Sequence, residues 1–201
     1  MAVTMEVEAK GRALAKCVRP AQHQDLDRVA VLWTAITHHH ESLDPLFTMR
    51  PDAGDALRGL LTAMLRDPET LILLYDENRD LPGLMIVRVD QSPPILREAE
   101  RAEITDLGVR KSERRRGIAG VLVDAGLEWV RASGVERVEV NVAHGNPEGQ
   151  AFWRKRGFAD LMDVLHLRMY VSPPNRALRD QGKPHEPSPY PRKAIHQSTG
   201  K

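Results

Sequence analysis

The sequence predicts a mixed α/β (α+β) domain, and three observations support this. Short apolar or alternating runs, typical of strands, are interspersed with stripes of apolar residues at helical spacing. Two strand-like runs, residues 70–75 and 83–89, flank a polar turn and therefore indicate a hairpin. At 201 residues with 41% hydrophobic content, the chain is long enough to bury one ordinary core.

The first half of the domain supplies a strand, two helices and the hairpin. Residues 16–20 predict a short strand, and the stripe that begins at Leu26, with Asp25 near its start, predicts a helix. A second stripe of Leu57, Leu60, Leu61 and Met64 predicts a helix over residues 53–66. The hairpin strands follow, and residues 91–102 form a loop with two prolines.

The second half repeats the change between strand and helix. The alternating run 103–109 predicts a strand, and the stripe from Ile118 to Trp129 predicts a helix. A strand over 136–142, a helix over 147–156 and a last strand over 163–171 complete the predicted core. We expect residues 1–14 to be a flexible extension and 172–201, which is Pro-rich and basic, to be a disordered or docked tail.

The charge, aromatic content, hydropathy and cysteine count of the chain argue against several classes of function. The formal net charge of +1 and the aromatic content of 4% argue against a nucleic-acid-binding function. No apolar run approaches 18 residues, and residues 1–15 lack the apolar middle of a signal peptide, so we expect a cytoplasmic protein without a membrane span. Cys17 is the single cysteine, which excludes an intrachain disulfide and a cysteine-built zinc site, and we expect no metal.

A basic, glycine-containing loop stands between the strand 103–109 and the helix that follows it. A helix N-terminus carries unpaired N–H groups and the positive end of the helix dipole, so this loop predicts a phosphate cradle. The spacing matches neither the Walker pattern nor the dinucleotide pattern Gly-x-Gly-x-x-Gly. The predicted cradle residues are Arg114, Arg115, Arg116, Gly117, Ile118, Ala119 and Gly120.

Two motifs together resemble the GNAT superfamily of N-acetyltransferases. The cradle is similar to that family's pyrophosphate loop, (Gln/Arg)-x-x-Gly-x-(Gly/Ala). After the strand-like run 135–142, the chain resembles the late motif of the family at Asn146, Gly149, Trp153, Gly157 and Phe158. The opening Val18-Arg19-Pro20-Ala21 with Asp25-Leu26 is also similar to such domains, so the resemblance covers residues 15–171.

The resemblance implies a mostly antiparallel central sheet of six to seven strands with about four helices, acetyl-CoA as co-substrate and an amine as acceptor. It places backbone contacts to pantetheine at Leu107, Gly108 and Val109, and the pyrophosphate on the cradle. It makes Asn146 a polar contact to pantetheine and puts Trp153 beside the CoA arm. A homodimer is possible under this interpretation.

Two carboxylates are candidates for the general base. Glu103 lies eleven residues before Arg114, a spacing at which some histone-acetylating members of the superfamily carry a catalytic glutamate. The alternative is an ion pair of Glu103 with Arg101 or Arg110. Asp106 is the second candidate, although period-two alternation directs it to the opposite face unless a bulge intervenes.

Other candidates concern the leaving thiolate and the acceptor. Many family members carry a tyrosine where this chain has Trp153, and an indole cannot deliver a proton, so packing is the favoured role. His38, His39 and Phe47 are candidates for the acceptor wall, with a polar helix end as the alternative. The expected function is acetyl transfer from acetyl-CoA to a primary amine by direct attack in a ternary complex. A catalytically weak acyl-CoA-binding or sensing domain is the alternative.

Overall fold

A computed structural model describes residues 11–167, which contain a five-stranded sheet. The strand order is β1-β2-β3-β4-β5; the first four strands are antiparallel neighbours, and β4 and β5 are parallel. The strands are β1 (Val18–Pro20), β2 (Thr70–Glu77), β3 (Asp80–Gln91), β4 (Glu100–Val109) and β5 (Val138–Val140).

Four α-helices accompany the sheet in this part of the chain, in addition to a helical segment at residues 11–15. They are α1 (Leu26–Leu43), α2 (Ala53–Arg66), α3 (Ile118–Ala132) and α4 (Pro147–Lys155). Short 3₁₀ turns occur at His23–Asp25, Pro45–Phe47 and Lys111–Glu113. No helix between residues 11 and 167 has the length and apolar character needed to cross a bilayer.

The β2–β3 hairpin is tighter than the sequence indicates. Glu77 pairs with Asp80, so only Asn78 and Arg79 form the turn, and both have positive φ, 52° and 65°. Two successive left-handed residues are the conformation of a type I′ turn, whose twist matches that of the strands. Most of the segment that the sequence predicts as a polar turn, between residues 75 and 83, is therefore strand.

The sheet is covered on both faces. On one face α1 and α2 pack against β2 and β3 through a core of buried aliphatic residues that includes Leu32, Leu61 and Ile86. On the other face α3 lies so close that a Cβ on Gly126 would be 2.5 Å from the Met85 methyl carbon. Glycine therefore allows this helix to approach the strand.

An ion-pair network joins β1 to the start of α1. Asp25 is buried, and its two oxygens accept hydrogen bonds from the Arg19 guanidinium at 2.7 and 2.8 Å. The Gln22 N–H donates to the same carboxylate at 2.9 Å. The Arg19 hydrogen bonds lower the pKa of Asp25 despite its burial. The opening motif therefore has a structural role here.

The described chain falls into two compact units that divide between Gln150 and Ala151. The first contains the sheet and α1 to α3. In the second, Trp153 lies between two phenylalanine rings, with centroids 5.1 Å from Phe152 and 4.9 Å from Phe158.

The predicted mixed α/β class with a mostly antiparallel sheet is confirmed, but residues 11–167 form five strands, fewer than the six to seven expected for the sheet. Residues 163–167 of the predicted last strand have no regular structure and expose their apolar side chains; residues 168–171 lie outside the described residues. Residues 11–15 are helical, whereas the sequence indicates a flexible extension up to residue 14. Residues 1–10 and the tail 172–201 lie outside the described residues.

Candidate active site

Strand β4 has two halves with different neighbours. Its first half pairs with β3 on one side and with β5 on the other, where Ala102, Glu103 and Ile104 face Val138, Glu139 and Val140. From Thr105 onward, β4 continues beside β3 alone in the described chain. The parallel pair thus separates in the middle of β4 and leaves one edge of its second half open.

The open edge presents backbone groups of alternate residues. Directly after β4, the Arg110 N–H donates to the carbonyl of Pro82 in β3 at 2.7 Å. Because hydrogen bonding alternates along an antiparallel pair, Gly108 also directs its N–H and C=O to β3, while Leu107 and Val109 direct theirs to the open edge. Two of the three predicted backbone positions therefore lie at this edge, and Gly108 does not.

Gly108 has a packing reason instead. A Cβ at this position would lie 2.0 Å from Ile36 Cδ1 and 2.3 Å from Ile36 Cγ1, so only glycine lets α1 approach β4 this closely. The absence of a side chain at Gly108 therefore lets α1 pack directly against β4. The same helix carries the histidine candidates for the acceptor site.

The cradle loop begins directly after this edge. Arg115 and Gly117 have φ values of 66° and 98°, and Gly117 is the N-cap of α3. No side chain in the described chain caps this N-terminus, and the first turn holds no acid. By contrast, the first turns of α1, α2 and α4 contain Asp27, Asp55 and Glu148. The α3 N-terminus therefore presents unpaired N–H groups and positive potential to an external anion.

The three arginines of the cradle have different partners. Arg114 Nε donates to the Val109 carbonyl at 3.3 Å. Arg116 bridges Glu113 and Glu77, the latter at 2.7 Å, so it ties the loop to β2. Arg115 is exposed, and no described residue hydrogen-bonds or ion-pairs with its side chain. Of the three, Arg115 is the side chain most available to a bound anion.

A β-bulge decides which face Asp106 occupies. Ile104 pairs with Val87 and Asp106 with Ile86, so Thr105 is an extra residue in β4. An extra residue reverses the alternation, and Asp106 therefore shares the face of Glu103, which pairs with Arg88. From the sequence, this placement of Asp106 requires a bulge, but no sequence signal shows where in β4 the bulge lies.

Asp106 is a half-buried carboxylate with two donors. Trp33 Nε1 donates to Oδ1 at 2.9 Å, and Thr105 Oγ1 lies 2.8 Å from Oδ2. Burial raises the pKa of Asp106, and the hydrogen bonds from Thr105 and Trp33 partly offset that rise. A carboxylate of raised pKa can accept a proton better than an ordinary one.

Glu103 is held in an ion pair. Its Oε2 accepts from Arg88 at 2.7 Å and its Oε1 from Asn141 at 2.9 Å. The expected alternative partners lie elsewhere, since Arg101 pairs with Glu139 and Arg110 with Asp80. Glu103 is thus paired, but with an arginine of β3.

The three consecutive histidines near the end of α1 have different surroundings. His38 pairs with Glu41 at 3.0 Å and lines a cleft of about 340 Å³ with residues of α2 and the preceding loop. Burial and the charge of Arg114 lower the pKa of His39. The ring centroid of the next residue, His40, lies 5.6 Å from that of Phe47, and the charge of His40 lowers the pKa of Asp106.

The late motif has a local explanation in the ends of α4. Asn146 Oδ1 accepts the Gly149 N–H at 2.9 Å and so caps the helix, which leaves its amide NH₂ as the group a ligand could use. A Cβ on Gly149 would lie 2.7 Å from Asn146 Nδ2, so glycine keeps the cap intact.

The other end of α4 closes in a Schellman motif. The Phe158 N–H donates to the Trp153 carbonyl at 3.1 Å and the Gly157 N–H to the Arg154 carbonyl at 3.0 Å, with Gly157 at φ 92°. Trp153 is buried in contact with Phe158. These contacts support a packing role for the indole.

Comparison with known families agrees with this geometry. The sequence profile described as "Acetyltransferase (GNAT) family" matches residues 33–158, more than half of the chain. The chain belongs to the GNAT acetyltransferase family. This match confirms the resemblance drawn from the two motifs, and its range contains β4, the cradle and both ends of α4.

Known GNAT relatives include a mycothiol acetyltransferase of Clavibacter michiganensis subsp. michiganensis, which is 30% identical over 127 residues. The alignment covers 61% of this chain and 39% of that protein, so the chain spans about two fifths of the relative's length. The matched part of the relative is therefore shorter than the whole protein to which its name applies.

Solved structures share the fold. A tetramutant of the BH1408 protein from Bacillus halodurans superposes with a TM-score of 0.68 at 21% identity, covering 76% of this chain and 99% of that one. A "predicted acetyltransferase with acetyl-CoA" from Clostridium acetobutylicum superposes with a TM-score of 0.61 at 16% identity, covering 75% and 94%. At these identities the likeness concerns the fold.

Proposed function

We propose that this protein is an acetyl-CoA-dependent N-acetyltransferase that transfers the acetyl group to a primary amine by direct attack in a ternary complex. The observation that carries the proposal is the open half of β4, which leads directly into the uncapped N-terminus of α3. Acetyl-CoA fits this arrangement, because its extended pantetheine arm can lie along the open edge and its pyrophosphate can lie at the helix N-terminus.

The donor would lie along the open edge. Leu107 and Val109 would pair with the amides of the pantetheine arm, as a neighbouring strand does. The pyrophosphate would accept the N–H groups of Ile118, Ala119 and Gly120, which have no partner within an α-helix. Arg115 would add a side-chain contact, since Arg114 and Arg116 are used within the protein.

Asp106 is our preferred general base, with Glu103 as the second candidate. Both carboxylates share one face of β4, but Glu103 gives both oxygens to Arg88 and Asn141. Asp106 has a raised pKa and faces α1, whose C-terminal end carries His39 and His40. The amine nitrogen would lose its proton to this carboxylate as it attacks the thioester carbon, directly or through water.

The C–S bond then breaks and CoA leaves as a thiolate, which must acquire a proton. Trp153 has an N–H donor but no acid of useful pKa. We therefore assign Trp153 to packing and Asn146 to a polar contact through its amide NH₂. Water is then the simplest proton source for the thiolate.

The proposal also covers the chemical class of the acceptor and where it binds. The relative from Clavibacter michiganensis subsp. michiganensis carries the name mycothiol acetyltransferase, and its name identifies a small molecule. We infer a small polar amine as acceptor for this chain, bound between the end of α1 and the Asp106 face. His39, His40 and Phe47 are the candidates for that wall.

The donor site is tested with an aspartate at the second residue of α3. In Ala119→Asp the new carboxylate occupies the anion position, while an acid in a first turn favours the helix and preserves the fold. We expect acetyl-CoA affinity to fall on the order of 100-fold, the loss of one or two charge-assisted hydrogen bonds. Calorimetric titration at fixed salt measures it, with melting temperature as the fold check.

Gly54→Asp is the matched control, because Gly54 is the second residue of α2 and open space surrounds it. It should bind acetyl-CoA like the unchanged protein. Equal affinity of Ala119→Asp and the unchanged protein for acetyl-CoA would reject the cradle.

A second experiment measures the release of free CoA in the presence of a panel of amines. Amine-dependent release supports the enzyme, whereas acetyl-CoA binding without release supports the weak acyl-CoA sensor. Intersecting initial-rate lines would support the ternary complex.

A further inference from the structure

The strongest unassigned feature near the site is the contact between an α1 indole and the Asp106 carboxylate. Trp33 Nε1 lies 2.9 Å from Asp106 Oδ1, although the two residues are 73 positions apart in the sequence. Trp33 is partly buried and packs against the aliphatic core between α1 and the sheet. The indole therefore has a fixed place, and its N–H points at the carboxylate.

Two structural devices must coincide for this contact to form. The bulge at Thr105 turns Asp106 to the face that α1 covers, and glycine at position 108 lets α1 approach the strand. An ordinary strand would direct Asp106 away from Trp33, and a side chain at 108 would push the helix outward. The hydrogen bond thus depends on both the bulge at Thr105 and the glycine at position 108.

We propose that Trp33 is a positioning residue that holds the Asp106 carboxylate towards the acceptor and favours its ionised form. An indole N–H can only donate, and its hydrogen bond to a charged carboxylate is stronger than one to the carbonyl oxygen of the neutral acid, so it favours the ionised form. Thr105 supports the other oxygen at 2.8 Å. This inference rests on the proposed function, in which Asp106 accepts the amine proton.

The charged groups around Asp106 lie on α1, β4 and β3. On α1, the charge of His40 favours the ionised carboxylate; on β4, the charge of Glu103 opposes it. From β3, Arg88 pairs with Glu103, and the residue opposite Asp106 is the apolar Ile86. Burial raises the pKa of Asp106 and the bond from Trp33 lowers it, so loss of that bond raises the pKa further.

The kinetic test compares Trp33→Phe with Trp129→Phe. The first variant keeps an aromatic ring and loses the N–H; the second makes the same change on α3, which packs on the other face of the sheet. Because a base must be unprotonated, a raised pKa moves the acidic limb of the kcat/KM profile to higher pH. We expect a loss on the order of tenfold at the acidic end, the effect of one hydrogen bond to a charged group, and a much smaller loss at high pH.

Thr105→Val supplies a second variant of nearly the same shape, and it should move the limb in the same direction. A merely structural role of Trp33 would lower the rate equally at every pH without moving the limb. That uniform loss, or an unchanged profile in both variants, would overturn the proposal.

A spectroscopic measurement needs no acceptor and separates this inference from the proposed function. The indole ¹H–¹⁵N resonance of Trp33, assigned by its loss in Trp33→Phe, should titrate with pH in the unchanged protein and stay constant in Asp106→Asn. A resonance that does not titrate, or that titrates equally in Asp106→Asn, would reject the coupling. A titrating resonance in a protein without acetyl transfer would reject the enzyme assignment and keep the coupling between the two residues.

Discussion

The two halves of β4 belong to one strand but differ in their neighbours and in their backbone pairing. In the first half, residues 102–104 have strands on both sides, and Ala102 and Ile104 are buried. Residues 105–109 have β3 on one side, contain the bulge and leave backbone groups at an open edge. Within ten residues, one part of β4 stabilises the sheet and the other has backbone groups free for a ligand. A backbone that is already paired on both sides has no groups left to bind a substrate.

The carboxylates of the two halves show the same division. Glu103 in the paired half has an arginine and an asparagine on its oxygens and is thereby part of the sheet's own ion pairs. Asp106 in the open half has an indole and a hydroxyl as neighbours, and burial raises its pKa. A short distance in sequence therefore separates a structural carboxylate from a candidate base.

The largest expected effect concerns stability and distinguishes the halves directly. Ile104→Ala removes a side chain that is 2% exposed and should lower the free energy of unfolding by about 3 kcal/mol, as buried aliphatic truncations do. Leu107→Ala, in the open half and only partly buried, should cost about 1 kcal/mol. Urea unfolding measures both. Equal costs would mean that the two halves contribute alike to the core.

The second effect concerns the reaction rate. Asp106→Asn should lower kcat about 100-fold, since it removes the proposed base and keeps the shape. Glu103→Gln should lower kcat less than tenfold, because that carboxylate is engaged with Arg88. Glu139→Gln, which removes the ion-paired carboxylate opposite Glu103 on β5, is the control and should keep the rate. A larger loss in Glu103→Gln than in Asp106→Asn would exchange their roles.

The third effect concerns the approach of α1 to the open half. Gly108→Ala places a Cβ within 2.3 Å of two Ile36 carbons and should lower the free energy of unfolding by about 2 kcal/mol through overpacking. In an Ile36→Ala background the same change should cost clearly less, since those atoms are gone. Four unfolding curves complete this cycle. Additive costs would show that the two positions do not meet in solution.

The sequence alone predicts the parts of the site that a few neighbouring residues determine. The start of α3 follows from a basic loop before an apolar stripe, and the late motif falls on the helix predicted over 147–156, which the structure has as α4. At the ends of α4 the structure then shows the Asn146 cap and the Schellman motif at Gly157. These elements are predictable because their hydrogen bonds join residues at most five positions apart.

The mixed fold class, the basic loop before α3 and the family were thus determined by sequence, because helical stripes, strand runs and turn residues record local preferences. Tertiary structure alone decided that Thr105 bulges, that Arg88 pairs with Glu103 and that Trp33 reaches Asp106. Those outcomes depend on how α1, β3 and β4 pack together. A single extra residue in β4 moved Asp106 to the other face of the sheet, and only the register with β3 shows which residue is extra.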